Sequence, residues 1–230
     1  MSESHVKVTN LDNGIRVVSD TMKSVESVSL GAWFGIGTRN ESADVNGVAH
    51  LLEHMAFKGT NGRSSAAIAE EVELVGGHLN AYTSREQTAY YAKFLKDDIS
   101  LGVDILSDIL QNSIFAELEL DRERNVVLQE IGQSADTPDD IIFDYFQSTA
   151  YPDQGLGRPV LGTGEIISKM SRDTVIKFIN DKIFDGKMKG VPIVSIVANL
   201  NENYEGSEFY CRGKEIKLKT IIADIIGIRI

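Results

Sequence analysis

The chain predicts an α+β fold: a largely antiparallel sheet with helices packed on one face. Three observations lead there. Segments that alternate apolar and polar residues recur, and some lie next to each other across short turn signals, as hairpin strands do. Between them run segments with apolar residues at helical spacing. The two kinds arrive in irregular order, with paired strands and paired helices, which argues against a regular strand–helix alternation and its parallel sheet.

Residues 7–11 read as a strand, Asp12-Asn13-Gly14 as a turn, and residues 15–19 as the returning strand. Over residues 25–37, Val28, Leu30, Ala32 and Phe34 take alternate positions and predict a strand with one face in the core, where Trp33 and Phe34 also belong. Residues 40–46 are a polar loop, and residues 48–57 follow a helical pattern that residues 61–64 break. Ile68, Val72 and Val75 make residues 65–75 an amphipathic helix, closed by Gly76-Gly77. Residues 78–83 and 87–95 predict a second hairpin. Ile99, Val103, Leu106 and Leu110 stripe a helix over 97–112. A second long helix covers 117–133, residues 136–140 form a break, and 141–149 form a further helix. Four glycines and two prolines make residues 151–164 an extended loop, and Ser171 caps a helix over 172–179. Residues 191–200 read as a strand. Residues 1–200 thus form one folded unit. Residues 201–230, charged and without a clear period, read as an atypical tail, truncated or disordered.

Composition narrows the function classes. With 42% hydrophobic and 25% charged residues in a chain of 230, the balance is that of a globular protein able to bury a sizeable core. The single cysteine, Cys211, permits no intrachain disulfide and fits a reducing compartment. A net charge of -11 argues against a nucleic-acid partner, because phosphate binding needs clustered Lys and Arg. Residues 1–10 do not read as a signal or transit peptide, and no stretch is long and apolar enough to span a bilayer.

The chemistry concentrates in His50-Leu51-Leu52-Glu53-His54. Two histidines four apart stack on one face of a helix, and Glu53 shares that face. Two imidazoles can grip one metal ion with a carboxylate beside its water. The order His-x-x-Glu-His is the inverted zincin signature and points to a zinc hydrolase, a peptidase first of all. Catalytic zinc takes three protein ligands, so a third must come from elsewhere. Glu130 is the candidate: it follows Val126-Val127-Leu128, which should press its helix into the core, where a carboxylate needs a partner. Glu123, two turns earlier on the same face, would orient a histidine ligand. Zinc lowers the pKa of a bound water to about 7. Glu53 would take that water's proton during attack on the scissile carbonyl and pass it to the leaving amine.

Other groups read more plainly. His78 belongs to the turn before a strand rather than to the metal. Gly35-Ile36-Gly37 lacks the spacing of a nucleotide loop. Arg85 could meet substrate or pair with an acid. The Asp pairs at 97–98 and 139–140 suit solvated helix ends. Glu123 and Glu130 could also lie on a solvated face, with Glu117, Glu119 and Asp121 nearby.

The segment from Gly47 through His50-Leu51-Leu52-Glu53-His54-Met55-Ala56-Phe57-Lys58-Gly59-Thr60 resembles the pitrilysin-type, or inverzincin, metallopeptidases. Within them it is most similar to the mitochondrial processing peptidase β-subunit and its bacterial relatives. Three further runs carry the resemblance: Gly76-Gly77-His78-Leu79-Asn80-Ala81-Tyr82-Thr83-Ser84-Arg85-Glu86, Arg122-Glu123-Arg124-Asn125-Val126-Val127-Leu128-Gln129-Glu130-Ile131, and Gly157-Arg158-Pro159-Val160-Leu161-Gly162. The resemblance implies a processing-peptidase-like metallohydrolase half holding one Zn2+ through His50, His54 and Glu130. It also implies a peptide substrate bound as an added strand along Asn80, Ala81 and Tyr82, with Phe57 facing the pocket after the cleaved bond.

In this family two similar halves close over the substrate, and the chain matches the first. From about residue 181 it departs from the family pattern: Ile193-Val194-Ser195-Ile196-Val197-Ala198-Asn199 keeps part of a strand without its expected glycine. The expected function is zinc-dependent cleavage of extended or presequence-like peptides. The alternative is a non-catalytic or partner-dependent subunit on the same fold, joined by a second half or partner subunit. The resemblance implies a bacterial cytoplasmic setting, with the mitochondrial matrix as the other.

Overall fold

The computed structural model describes residues 6–11, 15–22, 24–184, 193–197, 208–211 and 214–217. The turn at Asp12-Asn13-Gly14, residues 1–5 and most of the tail after 200 lie outside them, as do Ala198 and Asn199. The first hairpin is β1 (Val6–Asn10) against β2 (Arg16–Asp20), antiparallel, with Val8 opposite Val18. Next come β3 (Ser27–Phe34), α1 (Val48–Ala56), α2 (Ser65–Leu74), β4 (His78–Thr83) and β5 (Thr88–Leu95). Then follow α3 (Ile99–Gln111), α4 (Glu117–Asp136), α5 (Pro138–Ala150), α6 (Gly164–Lys169), α7 (Arg172–Phe178) and β6 (Ile193–Val197). A separate small hairpin, β7 (Glu208–Cys211) with β8 (Lys214–Lys217), lies within the tail.

The main sheet runs β1-β2-β6-β3-β5-β4. Of its neighbouring pairs only β2 and β6 are parallel; the rest are antiparallel. The period-two pattern of β3 decides which face is covered. Val28, Leu30, Ala32 and Phe34 stand opposite Phe94, Ala92, Tyr90 and Thr88 of β5, and all eight are buried. Ser29 and Lys93 on the other face are exposed, and Trp33 is half-buried there. The helices supply the facing layer: Leu51, Leu52 and Met55 of α1 and Ile105 and Ile109 of α3 are all but inaccessible. Each such side chain contributes about 1.5–3 kcal/mol, so α1 is held by its apolar stripe and turns its polar side away from the sheet.

The end of α2 obeys its glycines. Gly76 has φ +66°, its N–H donates to Glu73 O and that of Gly77 to Val72 O, both at 2.9 Å, which is a Schellman closure.

Three boundaries differ from the sequence expectation. The polar break at 136–140 shrinks to Thr137: α4 runs on to Asp136 and α5 begins at Pro138. Proline is tolerated in a first turn, and Asp139 and Asp140 suit its positive dipole end. The loop over 151–164 gives way to α6, capped by the Thr163 hydroxyl accepting from Ile166 N. Six residues starting at a glycine are too few to show a period. After α7, residues 179–184 continue as a π-helical turn. Among the described residues no helix is long and apolar enough to cross a membrane.

Candidate metal centre

Helices α1 and α4 pack against each other, and the contact brings their polar faces together. His50, Glu53 and His54 come from α1, Glu123 and Glu130 from α4. The imidazole centroids of His50 and His54 are 4.7 Å apart. Glu130 Oε2 lies 3.7 Å from His50 Nε2 and 3.6 Å from His54 Nε2. Both distances are too long for a hydrogen bond. They are close to the roughly 3.4 Å that separates neighbouring ligand atoms on a tetrahedral zinc. One donor atom from each of His50, His54 and Glu130 falls within 4.8 Å of the others. Glu130 Oε2 and His50 Nδ1 are buried without a hydrogen-bond partner. A buried carboxylate oxygen between two imidazole nitrogens is costly alone and satisfied by a shared cation. The residues therefore fit a divalent metal of the zinc type.

The electrostatics agree. Burial pushes the His50 imidazole down to about 4, and neighbouring His54 acts in the same direction, so the ring is neutral with a lone pair available. Glu53 is pushed above the usual carboxylate range. Burial is the main cause and Glu130 adds to it, against a hydrogen bond from Thr83 and the charge of His54. Its Oε2 is buried without a partner, beside the candidate metal ligands.

Glu123 is only 6% exposed and holds two groups at once. Its Oε2 is 3.0 Å from His54 Nδ1, and its Oε1 is 2.7 Å from Lys58 Nζ. The sequence pattern pointed to Glu123. It did not point to Lys58, whose partner lies on another helix. Thr83 was missed for the same reason. A lysine one turn beyond a metal-type helix was the available signal.

The substrate-side candidates are also placed. Asn80, Ala81 and Tyr82 lie on β4, an edge of the main sheet, and α1 packs beside that strand. Asn80 is exposed, Tyr82 half-buried and Ala81 buried. Tyr90 O faces Gly31 on β3, so Ala81, opposite Tyr90, turns its own N–H away from the sheet. That N–H donates to Asn80 Oδ1 at 2.8 Å. Phe57 ends α1 and lines a cavity of about 280 Å³ with Ile68, Val72 and Leu79. Arg85 pairs with an acid, Asp144 of α5, at 2.5 Å and donates to Leu156 O. His78 is the exposed first residue of β4 and stands outside the ligand group.

Residues 16–164 match the family model described as Insulinase (Peptidase family M16). A Rickettsia felis protein named as an uncharacterized zinc protease is 40% identical over 201 residues, which cover 87% of this chain and 48% of that one. The mitochondrial-processing peptidase subunit beta of Rattus norvegicus is 46% identical over 173 residues, covering 75% of this chain and 35% of that one. The crystal structure of a protease from Helicobacter pylori superposes with TM-score 0.78 at 25% identity, covering 86% of this chain and 47% of that one. The chain spans about half the length, or less, of these relatives.

Proposed function

Since the chain belongs to the insulinase, or M16, peptidase family, we propose that it is a zinc metalloendopeptidase acting on extended peptides or presequence-like segments. One observation carries the reading: Glu130 Oε2 stands between the two imidazole nitrogens, orphaned and at metal-sharing distance. His50, His54 and Glu130 would hold one Zn2+ per chain. When bound, that ion supplies Lewis acidity and an acidified water at neutral pH.

The chain's own residues do the rest. Glu53, raised in pKa and unpartnered at Oε2, is suited to take a proton from water and return it to the leaving amine. Glu123 orients His54 through Nδ1, and Lys58 pairs with Glu123 and holds it in place. A peptide adds to the edge of β4, with Asn80, Ala81 and Tyr82 along it and Ala81 N–H as a donor. The residue after the cleaved bond enters the cavity beside Phe57. The proposed setting is the bacterial cytoplasm, with the mitochondrial matrix as the alternative. Relatives named from a bacterium and from mitochondria support both.

A second reading has its own support. The relatives include one named as a subunit, the mitochondrial-processing peptidase subunit beta, which supports a chain that needs a partner to become active. Metal analysis and a peptide-cleavage assay on the chain and on Glu53→Gln separate the two. Stoichiometric zinc in both, with cleavage reduced 10²-fold or more in Glu53→Gln, is the expected result. Zinc without cleavage in either favours the partner-dependent subunit, and no zinc in either overturns the metal centre.

A further inference from the structure

The run Gly157-Arg158-Pro159-Val160-Leu161-Gly162 has no task in the proposed chemistry, yet it closes on the start of the metal helix. Gly47 and Gly162 cross there. Both have positive φ, and a Cβ on Gly162 would lie 2.4 Å from Asn46 O. Between the two segments sits Glu41, 5% exposed and far from any catalytic role. Its Oε2 accepts from Gly47 N and from Asn46 Nδ2, and its Oε1 accepts from Ala49 N, each at 2.8 Å. Arg158 donates to the Glu41 main-chain oxygen at 2.5 Å, and Asn46 Nδ2 also donates to Pro159 O at 3.1 Å.

We propose that Glu41 is a positioning residue for the metal centre, fixing the first turn of α1 from outside the helix, with Arg158 fixing Glu41 in turn. The argument is one of position. Helix α1 has nine residues, and its N-cap, Gly47, brings no side chain to the free N–H groups. His50 is the third residue of that helix, inside the turn that frays first. The residue just before it, Ala49, is held by a carboxylate, and an anion at a helix N-terminus is favoured by the dipole as well. Without that cap the imidazole of His50 keeps its chemistry but loses its fixed origin, while His54, a turn further on, stays put.

This inference rests on the proposed metal centre, and the test separates the two. Zinc affinity of the full chain is measured by competition with a chromophoric chelator. Cobalt(II) substitution gives a visible spectrum that reads ligand geometry directly, and circular dichroism checks folding. Glu41→Gln, which puts an amide donor among three N–H donors, is expected to lose about tenfold in zinc affinity and to change the cobalt spectrum. Arg158→Met shifts both in the same direction by less. Unchanged affinity and spectrum in folded Glu41→Gln overturn the proposal. If that variant does not fold, unchanged values in Arg158→Met do so. A wild-type chain that takes up no zinc overturns the metal centre itself and this inference with it, a result distinct from variants that bind as tightly as wild type.

Discussion

At the scale of single residues, a buried carboxylate is tolerable only with partners, and the partners reveal what the sequence hides. Glu130 was a candidate because it follows Val126-Val127-Leu128, although of that run only Val127 is buried and Val126 is exposed. Lys58 and Glu41 were not, because the groups they serve reach them only through the fold. Removing Lys58 leaves Glu123 buried against His54 without its cation. Lys58→Met should lower zinc affinity 10–100-fold in a chelator competition, and Lys58→Arg should recover part of the loss. Glu41 also makes a pH prediction. Burial pushes its carboxyl from 4.5 up to about 7, against hydrogen bonds from Ala49, Asn46 and Gly47 and the charge of Arg158. A carboxyl raised on folding contributes stability that is full below the unfolded value and lost as pH rises through the folded one. Glu53 is raised as well and adds in the same direction. In the metal-free chain Glu41 should therefore cost up to roughly 3 kcal/mol between pH 4.5 and 7, while His50, lowered to about 4, works in the opposite direction between pH 4 and 6.5. Denaturant unfolding at a series of pH values should show stability rising more with pH in Glu41→Gln than in the unsubstituted chain.

At the scale of elements, local rules carried most of the chain. Alternation marked β3, the paired glycines marked the end of α2, and Ser171 capped α7 by accepting from Thr174 N. The misses share a cause. Helix α6 is too short for a period, and the place of β6 between β2 and β3 has no local signal, since a parallel pairing joins segments far apart. The start of α1 depends on backbone shape more than on any side chain of its own. Gly47 has φ +96°, and a Cβ there would lie 2.7 Å from Leu161 O and 2.8 Å from Ile167 Cδ1. Gly47→Ala should destabilise the chain by about 1–3 kcal/mol, read as a lower denaturant midpoint with an unchanged m-value.

At the scale of the whole molecule, a metal that binds only the folded chain is a stabiliser by mass action. Free zinc at about 100 times its Kd should raise stability by about 2.7 kcal/mol. A chelator should reverse that gain, and Glu130→Gln should show little of it, which thermal melts can check. The same molecule ends its sheet at β4, and this margin carries its own stopper. The outward N–H of Ala81 is already occupied by the side chain of its neighbour, Asn80. A passing strand finds that donor taken, whereas a segment that displaces the amide gains it. That stretch of the border thus acts as a threshold rather than as an open invitation, since a guest must first dislodge the amide.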